Sequence, residues 1–139
     1  MDIPRVSPKE PLRTDADLRR WARFISGGLN PLRRTLWVMF LDKEDKPVPI
    51  ILPIDGIPDL PDEEASRMAH NLSKIGQDMA PGGAAVLMLE RPGVMRRAAA
   101  DDAWHSLLRR ELTAAGMRVR AMFLAAGGQV ETFTLDDAA

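Results

Sequence analysis

Apolar residues recur at Leu18, Trp21, Ala22 and Ile25, the i, i+3, i+4, i+7 spacing of a helix with one buried stripe. Thr14 before them is of N-cap type, and Asp15 and Asp17 fall in the first turn, where the helix dipole favours carboxylates. Gly27-Gly28 marks the end of this helix. From Thr35 to Asp42 the period disappears: Leu36-Trp37-Val38-Met39-Phe40-Leu41 is continuously apolar, the pattern of a strand covered on both faces. A polar turn, Lys43-Glu44-Asp45-Lys46, leads into a second β run, Val48 to Ile54.

That second run holds Pro49 and Pro53 and follows Pro47, all at odd positions. Strand N–H groups alternate sides, so the three missing donors face one way, which only an unpaired outer edge tolerates. The helical period returns over residues 62 to 79, with a predicted stripe of Ala65, Met68, Ala69, Leu72, Ile75 and Met79. Pro81-Gly82-Gly83 stops it, and Ala84 to Leu89 reads as a second buried strand. An irregular loop from Arg91 to Ala100 precedes a helix from about Asp101 to Ala115, whose stripe is Trp104, Leu107, Leu108, Leu112 and Ala115. Met117 to Ala125 and Gln129 to Leu135 form a hairpin about Gly127-Gly128. The predicted fold is α/β, of α+β sandwich type: a mixed sheet flanked by helices in the order α-ββ-α-β-α-ββ. Residues 1 to 13 carry three prolines and no period, which predicts an extended arm ahead of one domain over 14 to 139.

Composition narrows the chemistry. The 139 residues suit one domain, 45% are hydrophobic and 28% charged, and there is no cysteine, so disulfides, thiolate metal sites and cysteine nucleophiles are excluded. The longest apolar stretches are six residues, Leu36 to Leu41 and Ala84 to Leu89, far short of the ~20 that span a bilayer. With no signal-like apolar run at the N-terminus, the expected location is cytoplasmic and no membrane partner is expected.

The net charge is −1, but it is unevenly spread. Residues 1 to 34 carry eight basic and four acidic groups, residues 42 to 64 two and eight, and residues 91 to 120 seven and three. A surface with separate poles is expected. With a pI near 6.1 and 5% aromatic residues, a nucleic-acid partner is not favoured.

The element order and two short anchors resemble the JAB/MPN (JAMM) metallopeptidase-like fold, in particular its RadC-like branch, over residues 30 to 135. The first anchor is Trp37 to Asp42, an apolar strand closed by an aspartate and a polar turn. The second is Leu89-Glu90-Arg91-Pro92, with Gly93 following and Asp102 ten positions after Pro92. It is similar to the family's strand ending in His-x-His-Pro, with an aspartate opening the next helix. The resemblance implies that the two histidine positions hold Leu89 and Arg91, that the catalytic glutamate position falls on Arg34, and that only Asp102 matches a ligand type. A hydrolytic zinc needs three protein ligands and an open position. The implied protein is therefore a degenerate, non-catalytic member without metal or cofactor, in a bacterial regulatory assembly.

The remaining constellations weigh lightly. Asp101 and His105 are i, i+4 neighbours that could converge on an ion or a proton, yet aspartates at a helix start commonly cap it and the histidine reads as solvated. His70 has no companion histidine, and no Gly-x-Ser-x-Gly or phosphate-loop motif occurs. Arg34, Arg91, Arg96 and Arg97 would form a basic mouth where the family's active site lies, able to grip an anion or an acidic partner. The plainer reading pairs them with Glu90, Asp101 and Asp102. Arg118 and Arg120 read as solvating one face of their strand.

The leading expectation is a protein-interaction module with an unidentified protein partner or a second copy of itself, using Arg34, Arg91, Arg96, Arg97, Asp102 and His105. The alternatives are a metal-free enzyme or anion-binding protein acting on a phosphorylated or carboxylated small molecule, and a nucleic-acid accessory protein.

Overall fold

The computed structural model describes residues 11–26 and 33–134. Its elements are α1 (Asp15–Ser26), β1 (Thr35–Leu41), β2 (Pro47–Asp55), α2 (Glu63–Met79), β3 (Ala84–Glu90), α3 (Ala99–Ala114), β4 (Arg118–Ala126) and β5 (Gln129–Thr132). The predicted order holds, with α3 starting two residues earlier than expected. Most of the arm, the Gly27-Gly28 helix end and Leu135 lie outside the described residues.

The strands form one sheet in the order β2-β1-β3-β4-β5. β1 pairs antiparallel with both β2 and β3, β3 runs parallel to β4 across the α3 connection, and β4 and β5 form the hairpin. The fold is thus a mixed α/β sheet with helices on both faces, which explains why β1 and β3 are apolar at nearly every position. The proline-bearing β2 is indeed an edge strand.

Alternation sorts the side chains into two cores. Leu36, Val38, Phe40, Leu87, Leu89, Met122 and Leu124 meet α2 and α3, whereas Met39, Leu41, Val86, Met88 and Phe123 meet Leu18, Trp21, Ala22 and Ile25 of α1. α1 is set by a capping box: Asp17 N donates to Thr14 Oγ1 at 3.0 Å and Thr14 N to Asp17 Oδ2 at 3.3 Å.

Three local expectations are corrected. The stripe of α2 drifts, so that Ser73 and Gly76 are buried while Ile75 and Met79 are partly exposed. The 3.6-residue period carries the contact row from Leu72 to Gly76 rather than to Ile75. At Gly76 a Cβ would collide with Met117 and with Phe40, whose Cε1 would be 2.7 Å away, so the missing side chain lets α2 approach β1. Trp37, read as buried, is only half-buried; its Nε1 donates to Glu90 at 3.3 Å. In β4 the register against β3 slips between Val119 and Ala121, and the bulge at Arg120 puts Val119 in the α2/α3 core and Ala121 in the α1 core. Arg120 consequently does not alternate with them. It reaches the start of α1, donating to Arg13 O at 2.9 Å and to Asp15 Oδ1 at 3.3 Å.

Candidate functional site

One end of the sheet gathers most of the residues singled out above. The end of β3 delivers Arg91, the start of α3 delivers Asp101, Asp102 and His105, and Arg34 stands just before β1. Trp104 ties in the segment after β2, its Nε1 donating to Pro58 O and Asp59 O, both at 3.0 Å.

The centre is a buried ion pair. Arg91 follows a strand buried on both faces and is itself buried; Asp101 is fully buried in the first turn of α3. Arg91 Nε donates to Asp101 Oδ1 at 2.8 Å and Nη2 to Oδ2 at 2.9 Å, a bidentate contact. Nη1 donates to Pro92 O and Val94 O, both at 3.1 Å, and Nη2 also to Arg96 O at 2.8 Å. A guanidinium has five N–H donors, and these five contacts use all of them. Asp101 Oδ2 also accepts from Ala98 N at 2.8 Å, so the capping role expected of this aspartate is real but secondary to holding Arg91.

Arg34 extends the network. Its Nη2 is 3.1 Å from Asp59 Oδ1 and its Nη1 3.7 Å from Asp101 Oδ1, and its carbonyl accepts from Gly56 N and Ile57 N. Arg97 lies 3.9 Å from Asp102 and 4.0 Å from Glu131, donates to Thr132 O at 3.3 Å and covers the Phe133 ring at 4.5 Å. Arg96 is exposed and forms no ion pair among the described residues. The arginines of the expected basic mouth therefore face carboxylates nearly one for one, and Arg91 has no donor left for a ligand.

Two pairings fail. Glu90 does not meet the arginines: adjacent strand residues point to opposite faces, and Glu90 lies on the α1 side with Trp37. Burial raises its pKa above the usual carboxylate range, the Asp55 charge adds to this, and the Trp37 hydrogen bond opposes it. Thr35 Oγ1 donates to Asp55 Oδ1 at 2.7 Å nearby. His105 is not solvated: it is fully buried, stacked on Phe133 at 4.5 Å, and accepts at Nε2 from Arg109 Nε at 3.0 Å. That bond fixes Nε2 as an acceptor. Burial also lowers the pKa of Arg109. Neither α3 spacing nor the apolar stripe signalled this stack, because its partner Phe133 comes from beyond the last strand.

The positions that the resemblance would align with metallopeptidase ligands do not fit a zinc ion. Leu89 points into the core, Arg91 is bound to Asp101, and Asp102 alone could ligate. Among the described residues no group of three or more His, Cys, Asp or Glu side chains is placed to hold a metal. No described helix is long and apolar enough to cross a membrane.

What the network does present is a fixed loop. Residues 91 to 98 are hung from Arg91 through the carbonyls of Pro92, Val94 and Arg96. Against them lies the β4–β5 turn, where a Cβ on Gly127 would be 3.3 Å from Met95 N and 3.4 Å from Gly93 O. Val94 at the loop tip is 73% exposed, and Leu60 on the segment held by Trp104 is 62% exposed. Sequence reasoning missed both, since single apolar residues in loops carry no periodic signal.

The fold and this end of the sheet define a mixed α/β domain whose charged cluster is internally matched. Compared with known proteins, the chain matches no family model, and no curated protein is significantly similar to it.

Proposed function

We propose that this chain is a non-catalytic protein-interaction module, built on a JAB/MPN-like frame, that offers a protein partner the end of the sheet carrying Val94 and Leu60. The observation that carries this reading is the saturation of Arg91: the arginine at the centre of the expected mouth uses every donor to fix a loop whose tip is an exposed valine. Apolar residues held in place lose little entropy when covered, which is what a binding loop needs. The matched charges around them suit a polar rim. They count against the small-molecule anion reading, which requires donors that are free.

Both sheet edges are closed to strand addition, so a partner would use side chains rather than backbone. β2 carries its three prolines, and the outward carbonyls of β5 are covered by arginines, Val130 O by Arg19 Nη2 at 3.4 Å and Thr132 O by Arg97 Nη2 at 3.3 Å. The test is co-purification of the full chain and its Val94→Asp variant under identical conditions. A partner, or a second copy, that is retained by the natural chain and lost from an equally stable Val94→Asp protein supports the reading. A monomer whose recovered proteins are the same for both chains contradicts it.

A further inference from the structure

The arginines that the sequence pattern passed over differ from those at the loop end. On α1 the buried stripe is Leu18, Trp21, Ala22 and Ile25, which leaves Arg19, Arg20, Arg23 and Phe24 outward, all exposed. The 100° step places Arg19 and Arg23 on the flank toward β5, Arg20 on the crest beside Phe24 on the far flank. Arg118 joins this side of the molecule, because it alternates with Val119 of the α2/α3 core, and Arg120 is drawn to the start of α1. Against these cations stand few acids among the described residues: Asp15 meets Arg120 at 3.3 Å and Asp17 meets Arg20 only at 4.0 Å. Arg23 and Arg118 form no ion pair among the described residues. Phe24 is 58% exposed, the one large apolar side chain on this strip among the described residues. A groove of about 510 Å³ runs between α1 and β5, lined among others by Arg19, Arg23, Gln129 and Glu131.

We propose that the outer face of α1 with this groove is a second interaction surface, and that it takes an acidic segment of a partner protein bearing an apolar residue against Phe24. Charge complementarity selects an acidic partner: three exposed arginines within five residues of one helix, Arg19, Arg20 and Arg23, repel a basic surface and attract carboxylates, which arginine binds in bidentate fashion. Arginine beside an exposed aromatic is also the composition of protein-interface anchors. A nucleic acid fits less well. The described strip has a single stacking ring rather than a row of them, and its cations sit on one short helix rather than along a track of successive phosphates.

The experiment uses the full chain and fluorescence anisotropy with three probes: a labelled Glu/Asp peptide with one central leucine, a single-stranded oligonucleotide, and vesicles of mixed neutral and anionic lipid. The peptide should bind at low salt and weaken as salt rises. Arg20→Glu with Arg23→Glu should weaken it roughly tenfold and Phe24→Ala about fivefold, while Arg110→Glu on the opposite layer should leave it unchanged. Because glutamate near the end of α1 opposes the helix dipole, Arg20→Gln with Arg23→Gln supplies a milder pair that should show a smaller loss in the same direction. Absence of peptide binding at low salt, equal losses for Arg110→Glu, or tighter binding of the oligonucleotide or vesicles would each overturn the proposal. None of these outcomes bears on Val94, so this surface and the loop end fail or stand separately.

Discussion

Arg91 and Asp101 are joined by two parallel N–H···O contacts of 2.8 and 2.9 Å in a place where both are buried. Breaking such a pair from one side leaves an uncompensated charge in the interior and typically costs about 3–5 kcal/mol, whereas replacing both partners by apolar groups can be nearly neutral. Arg91→Met should therefore lower the urea midpoint strongly, and Arg91→Met with Asp101→Leu should recover much of the loss. The recovery stays incomplete, because the carbonyls of Pro92, Val94 and Arg96 also lose their donor. Equal destabilisation by the single and double variants would show that the unpaired Asp101 charge is not the source of the loss.

Gly76→Ala probes the approach of α2 to β1. Helix propensity alone predicts stabilisation of up to about 1 kcal/mol. The added methyl, however, meets Phe40 and Met117 in the core, and overpacking typically costs about 1–3 kcal/mol. The expected outcome is net destabilisation in chemical denaturation. A stabilised variant would mean that the helix can step back without loss.

Glu90 makes stability depend on pH. Its folded pKa is raised by burial, so folding favours the protonated carboxyl. The contribution is fully present below the ordinary glutamate pKa and is lost as pH rises through the folded value. Glu90→Gln keeps an acceptor for Trp37 Nε1 and removes the charge. It should raise Tm at neutral pH and give no advantage in acid below the usual carboxylate range. A Tm gain that is constant with pH would remove ionisation as the cause.

The two kinds of order in this molecule differed in how visible they were. The element order, the β2 edge and the Gly127-Gly128 hairpin follow from local period, from prolines at alternate positions and from paired glycines, and each can be read within a few residues. The bulge at Arg120 could not, because a slip against β3 is a property of two strands and not of one. The same holds for Arg91, His105 and Gly76. Arg91 is one arginine among several until Asp101, ten residues on, turns inward; His105 looks solvated until Phe133 returns from beyond β5; and Gly76 looks like a helix weakness until Phe40 is placed beneath it. Long-range partners decided whether each charged or small residue was surface or core.

The central claim is that a rigid loop presents Val94 to a protein. The most direct measurement places a photo-reactive phenylalanine analogue at position 94 of the full chain, with the same analogue at Ile75 on α2 as the comparison, and reads crosslinked products in the native cell extract by mass. The account predicts one discrete adduct from position 94, either with a single partner protein or with a second copy of the chain, and none of that species from position 75. No adduct from position 94, or the same adducts from both positions, would contradict it.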